Sequence, residues 1–159
     1  AKGLAMGIKK PIVPVSALAG LAYNVYMTSA LICPIVDARR NQVYTAFYKW
    51  NRGRLECVSQ DRIAMIDEVL AEAASFEMPV IFVGDGIFVH RDKLTANESF
   101  TVAPASCNMQ RAASVASLAA ELALEGKYVD GGDFVPVYLR KSQAERELEE
   151  KMQGAEKND

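Results

Sequence analysis

The residues able to do chemistry in this sequence are few and scattered. Gly84-Asp85-Gly86 follows the apolar run Pro79-Val80-Ile81-Phe82-Val83 and precedes a helical stretch. Glycines at such a junction let backbone amides come close to a ligand, and the carboxyl ends of strands are where α/β sheets hold phosphates and nucleotides. The same tripeptide serves equally as a plain strand-to-helix turn. A second group is Asp37-Ala38-Arg39-Arg40. A phosphate loop that begins with an aspartate needs a glycine two residues on, so that the backbone can hug the anion. Here that position is Arg39, whose side chain obstructs the cradle, although a guanidinium can still touch phosphate from outside. The departure argues against ATP hydrolysis.

Other catalytic constellations fare worse. Ser16, Ser106 and Ser114 have no histidine placed to activate them, and Ser16 reads better as a helix cap. The single histidine, His90, reads as a surface turn residue and builds neither a zinc site nor a triad. Cys33, Cys57 and Cys107 are odd in number and far apart, a usage that fits a reducing compartment, and none has a metal-ligand partner at the usual spacing. Tyr44, Phe47, Tyr48 and Trp50 fall on one strand and are expected as core and cross-strand partners, not as a base-stacking platform. The net charge of −2 gives no global field for nucleic acid, and Arg52/Arg54 reads as solvated hairpin surface. No apolar run approaches the roughly 18 residues of a membrane span. No signal peptide is read in these residues, and a cytoplasmic protein is expected.

The elements that must carry these residues follow from periodicity and punctuation. Residues 1–8 read as a helix tail ended by Gly7 and Pro11, and residues 11–16 as a short buried strand at an edge. Ser16 then caps a helix over 16–27, with Leu18, Leu21, Ala22 and Val25 on one face. Three antiparallel strands are predicted at 30–38, 42–50 and 54–64, joined by the turns ARRN and NRG. A helix over 66–75 starts with Asp67 and Glu68, where its dipole favours acids. The run 79–83 suits a parallel, doubly covered strand; a short helix or turn reaches to about Asn97, and 100–105 is a further strand. The alanine-rich segment 109–126 forms a last helix, with a Val115, Leu118, Leu122 stripe and Gly126 as terminator. Val135, Val137 and Leu139 alternate with Tyr138 and Arg140 in an extended edge segment around Pro136. Beyond it, Glu147 and Lys151 stand at helical i,i+4 spacing in a charged tail.

Three antiparallel strands followed by alternating helices and short apolar strands predict a mixed sheet with helices on both faces, the ribonuclease-H-like half of the actin-like ATPase (ASKHA) fold. The expected division is a remnant of a first actin-like lobe at 1–29, the ribonuclease-H-like lobe at 30–142, and the tail at 143–159. The opening Ala1-Lys2-Gly3-Leu4, already helical and without methionine, suggests a processed or truncated chain.

Three stretches, taken in order, carry a resemblance: VDARRNQVYTAFY at 36–48, GDG at 84–86 and PVYLRKSQAE at 136–145. Together they resemble the bacterial tRNA threonylcarbamoyladenosine biosynthesis family TsaB, the YeaZ-type, M22 glycoprotease-like proteins, over nearly all of residues 1–145. The resemblance implies a non-catalytic scaffold subunit, similar to the threonylcarbamoyltransferase TsaD but without its metal-binding histidines. Its implied partners are a TsaD homologue and the ATPase subunit TsaE, with tRNA reached through the complex, a homodimer when alone, and no membrane. It implies no certain cofactor, with ATP or ADP at a partner interface as the candidate and Gly84, Asp85, Gly86, Asp37 and Arg39 as its contacts. It also implies that helices of the first lobe meet partners; Leu4, Ala17, Leu18, Leu21, Ala22 and Val25 are the candidates here, and they equally suit core left uncovered by truncation. The alternatives left open are an actin-fold nucleotide-binding enzyme and a glycoprotease-like peptidase. Arg140 is read either as a ligand or lobe contact or as a chain end pinned to the body.

Overall fold

Strand β1, Leu31–Arg39, runs through the centre of the sheet and determines what lies on each face. Its side chains alternate: Leu31, Cys33 and Ile35 enter one apolar cluster, while Ile32 enters the other. Residues 1–140 are described in this computed structural model; the tail, with its Glu147/Lys151 spacing, lies outside them.

The hairpin that follows is broken into pieces. β2 (Gln42–Thr45) and β3 (Tyr48–Asn51) both pair antiparallel with β1, through Ile35↔Thr45 and Ile32↔Tyr48. The register is the same on both sides of the gap, so they are two parts of one strand. The gap falls opposite Cys33 and Pro34, and proline has no N–H to give the ladder. β4 (Arg54–Cys57) pairs with β3 and β5 (Arg62–Met65) with β2. Residues 58–61 bulge between them, where Ser59 Oγ accepts the Phe47 N–H at 2.9 Å. The two long strands predicted at 42–50 and 54–64 are therefore each interrupted.

On the other side of β1, β6 (Val80–Val83) and β7 (Phe100–Val102) add in parallel. Counting each interrupted strand once, the spatial order is 3-2-1-4-5 with the first three strands antiparallel. That order matches the expected ribonuclease-H-like arrangement. Helices α3 (Ile66–Ser75) and α4 (Gly86–Leu94) cover one face, burying Ile66, Val69, Ile87 and Leu94 against Phe47, Phe82 and the β1 side chains. Helix α2 (Ala17–Ala22) covers the other, packed on β1 and on α5 (Ala112–Leu124). Burying a Leu, Ile or Phe side chain contributes about 1.5–3 kcal/mol, so this two-sided apolar strand is the main source of cohesion.

Three local expectations are corrected. The proposed strand at 11–16 reduces to one antiparallel bridge, Ile12↔Val129, because Pro11 and Pro14 flank it without N–H groups to pair. The helix begun at Ser16 stops at Ala22, five residues short of its predicted end. The segment around Pro136 is not a strand: Val135, Val137 and Tyr138 are 73%, 87% and 81% exposed, so the alternation buries neither side. Helix α1 (Lys2–Gly7) is as expected.

Candidate functional site

The Gly84–Gly86 junction lies directly against the end of β1. A Cβ on Gly84 would stand 2.3 Å from the Ile35 carbonyl oxygen, and one on Gly86 2.9 Å from it. Gly84 also has φ +118, outside what other residues adopt comfortably. The glycines thus let the strand-to-helix corner lie on the β1 backbone, and their need is met by packing. The Gly84 N–H is taken by Asn108 Oδ1, buried beneath, at 3.2 Å.

The structure brings Asp37 to the same place. Asp85 Oδ1 accepts the Asp37 N–H at 3.1 Å, and Asp37 Oδ1 accepts the Arg39 N–H at 2.9 Å. Arg39 has φ +64, the left-handed region that the expected glycine would favour, so the loop keeps a glycine-like backbone under an exposed arginine side chain. Arg40 and Asn41 follow at φ +54 and +59, the pattern of a primed hairpin turn. An anion approaching this corner would meet two carboxylates already holding the amides of Asp37 and Arg39. Four of the five expected ligand-contact residues are thus one packed assembly, with the Arg39 side chain pointing away into solvent.

The residues expected to meet a partner are divided. Leu18, Leu21 and Ala22 are 4%, 2% and 0% exposed, built into the cluster with Ile32, Tyr48 and Val83. Val25 packs against that cluster from its edge, while Ala17 and Leu4 are exposed. Of the two readings the sequence left open for this stripe, its centre is core that the sheet itself covers.

Two residues without a sequence motif turn out to organise the region. Asp61, in the bulge between β4 and β5, accepts the Ser16 hydroxyl at 2.5 Å and the Tyr48 hydroxyl at 2.8 Å. Ser16 Oγ in turn accepts the Leu18 and Ala19 N–H groups, as a helix cap does. Burial of Tyr48, with the Asp61 carboxylate beside it, pushes its phenol far above the usual range. His90 is the second. It is 4% exposed and not a surface residue, it breaks the helical geometry of α4 (φ −114, ψ 17), and its Nε2 has no partner among the described residues. No sequence signal separates a lone buried histidine from an exposed one.

A cleft of about 820 Å³ opens beside this assembly, between residues 14–18, Val36, Tyr44 and Asp61 on the body and residues 133–140 as its outer wall. Arg140 closes one end by donating to the Ala38 carbonyl at 2.9 Å. Lys2 holds the other by donating to the Phe134 carbonyl at 3.0 Å. No three His, Cys, Asp or Glu side chains among the described residues are grouped to hold a metal ion. No helix among them is long and apolar enough to cross a membrane.

The interrupted 3-2-1-4-5 sheet, with glycines seated on the central strand, has the arrangement of the ribonuclease-H-like half of the actin-like fold. Two solved structures from Pseudomonas aeruginosa share the fold: a protein with similarity to peptidase YEAZ (TM-score 0.73) and YeaZ (TM-score 0.70). Each is 22% identical and covers 87% of this chain, which in turn covers 63% and 64% of theirs. The family described as TsaD, tRNA N6-adenosine threonylcarbamoyltransferase, matches residues 1–148. The tRNA threonylcarbamoyladenosine biosynthesis protein TsaB of Bacillus subtilis (strain 168) is 35% identical over 151 residues, or 91% of this chain. The chain spans 62% of that relative's length. It therefore belongs to the TsaD family.

Proposed function

We propose that this chain serves as a non-catalytic scaffold in forming N6-threonylcarbamoyladenosine in tRNA, pairing with a TsaD-type transferase. The supporting observation is the corner where α4 meets β1. The amides that would receive a phosphate are held by Asp37 and Asp85, and the glycines are used to seat the helix. That geometry favours a supporting role over a free-standing nucleotide enzyme, and no nucleophile–base pair among the described residues recommends a peptidase. The TsaE-type ATPase, a homodimer of the free chain, ATP or ADP at the partner interface, and a cytoplasmic setting belong to the same proposal.

The test is reconstitution with unmodified tRNA, the purified transferase and ATPase, and nucleoside analysis after digestion. The expected result is modified adenosine only when this chain and the transferase are both present. Equal modification without the chain, or modification by the chain alone, overturns the reading.

A further inference from the structure

The cleft of about 820 Å³ between the body and residues 133–140 contains one charged group that the fold leaves without a counter-charge. Asp61 is half-buried in its inner side, and its carboxylate accepts two neutral hydroxyls, Ser16 on Oδ2 and Tyr48 on Oδ1 at 2.8 Å. A carboxylate has room for about four such bonds, so half of its acceptor capacity is open. No lysine, arginine or histidine pairs with it among the described residues. Its chain neighbour Arg62 is turned to Glu72, and Arg54 and Lys127 are both taken by Glu125. The two cations at the ends of the cleft, Arg140 and Lys2, donate to the carbonyls of Ala38 and Phe134.

The rest of the lining is aromatic and aliphatic. Tyr44 belongs to the body side, Phe134 and Tyr138 to the outer wall. Asp133, exposed on that wall, is a second carboxylate and adds charge of the same sign. Aromatic faces attract cations and carboxylates pair with them, so this lining is complementary to an ammonium carried on an apolar body. An anion would meet the wrong sign. A purely apolar molecule would cover the Asp61 carboxylate without giving it a partner, a penalty that opposes its binding. The volume falls within the roughly 300–1,000 Å³ usual for small-molecule pockets. Both ends of the outer wall are tied to the body, which favours a free molecule over a polypeptide threaded through.

We propose that this cleft binds a small primary ammonium compound with an apolar body, its N–H groups donating to the open side of Asp61 and its body lying between Tyr44 and the wall of Phe134 and Tyr138. The binding is non-covalent, and no proton or electron changes hands. It is independent of the scaffold role, since none of these residues belongs to the corner where α4 meets β1.

The probe is 4-phenylbutylamine, with 4-phenylbutanol and 4-phenylbutanoic acid carrying the same body and a different charge. Each is titrated into the full chain and followed by ¹H–¹⁵N NMR. The amine is expected to shift the amides of residues 16–18, Asp61 and 137–139, and to bind about tenfold more tightly than the alcohol, with the acid weakest. Asp61→Asn keeps a polar partner for Ser16 and Tyr48 but no charge, so the preference for the amine should vanish. Tyr138→Ala, at a position 81% exposed, leaves the core intact and decides the matter if Asp61→Asn does not fold. It should weaken the amine about threefold. A blocked pentapeptide with one central lysine presents the same ammonium on a chain and should bind more weakly than the free amine. No binding of the amine, equal affinity for all three probes, a preference that survives Asp61→Asn, or an unchanged affinity in Tyr138→Ala overturns the ammonium site. Tighter binding of the peptide overturns a free small molecule as its occupant.

Discussion

The corner where β1 meets α4 and the wall made by residues 133–140 are tied together by one hydrogen bond from Arg140, yet they are held in opposite ways. At the corner, backbone lies on backbone: Gly84 and Gly86 against the Ile35 carbonyl, Asp85 on the Asp37 N–H, Asn108 under Gly84. The wall has almost no such contacts. Val135, Val137 and Tyr138 face solvent, and hydrogen bonds from Lys2 and Arg140 hold its two ends. Both stretches contain family-signature residues. The signature at the corner is explained by the fold of this chain; the signature on the wall is not, and apolar side chains left exposed in a row are what an intermolecular contact uses.

The sharpest way to break this comparison is at Gly84. Alanine there would bring a Cβ to 2.3 Å from a backbone oxygen that cannot move without displacing β1, at a φ of +118. Steric conflict and dihedral strain together should cost roughly 4 kcal/mol in urea unfolding. Gly53→Ala, at φ +82 with nothing within 4 Å, is the control and should cost only about 1 kcal/mol. A Gly84→Ala loss no larger than that of Gly53→Ala would mean the corner is not tightly seated, and its glycines would need a ligand to explain them.

Asp61 lies on the inner side of the cleft, across from the wall. Asp61→Ala removes the acceptor of both Ser16 and Tyr48 and leaves the nearly buried Tyr48 hydroxyl without a partner. A loss of about 2–3 kcal/mol is expected in the same assay. Tyr48→Phe in the Asp61→Ala background should recover part of it, since the orphaned hydroxyl is then gone. No recovery would mean that the Ser16 cap, not the tyrosine, carries the effect.

What was legible in the sequence divides along the same line. Local rules found the Ser16 cap, the helix at 66–75, a strand within 79–83 and a turn within 38–41, because each depends on neighbours in the chain. They failed at residues 46–47, which fall opposite a proline in a different strand, and at the bulge of residues 58–61. They failed again at His90, whose burial is decided by α4 packing on β1, β6 and β7. The Asp37–Arg39 departure from a phosphate loop was readable, but that Arg39 keeps a glycine-like φ was not, since side-chain identity normally argues against it. On the wall, alternation around Pro136 suggested an edge strand; without a neighbouring strand to pair with, alternation alone buries nothing.

The smallest expected effect falls on the wall itself. Arg140→Ala deletes one half-exposed hydrogen bond to the Ala38 carbonyl, and global stability should change by less than about 1 kcal/mol. Locally the change should be larger, because one of the two ties at the ends of the segment is lost. Amide exchange at residues 137–139 should quicken, and limited proteolysis should cut there first, while the corner residues 84–87 keep their protection. Arg140→Lys separates charge from geometry: a flexible ammonium retains one donor, so partial protection is expected to return. Faster exchange at both places in Arg140→Ala would show that the wall and the corner open as one unit, and the contrast between them would then be one of surface exposure and not of stability.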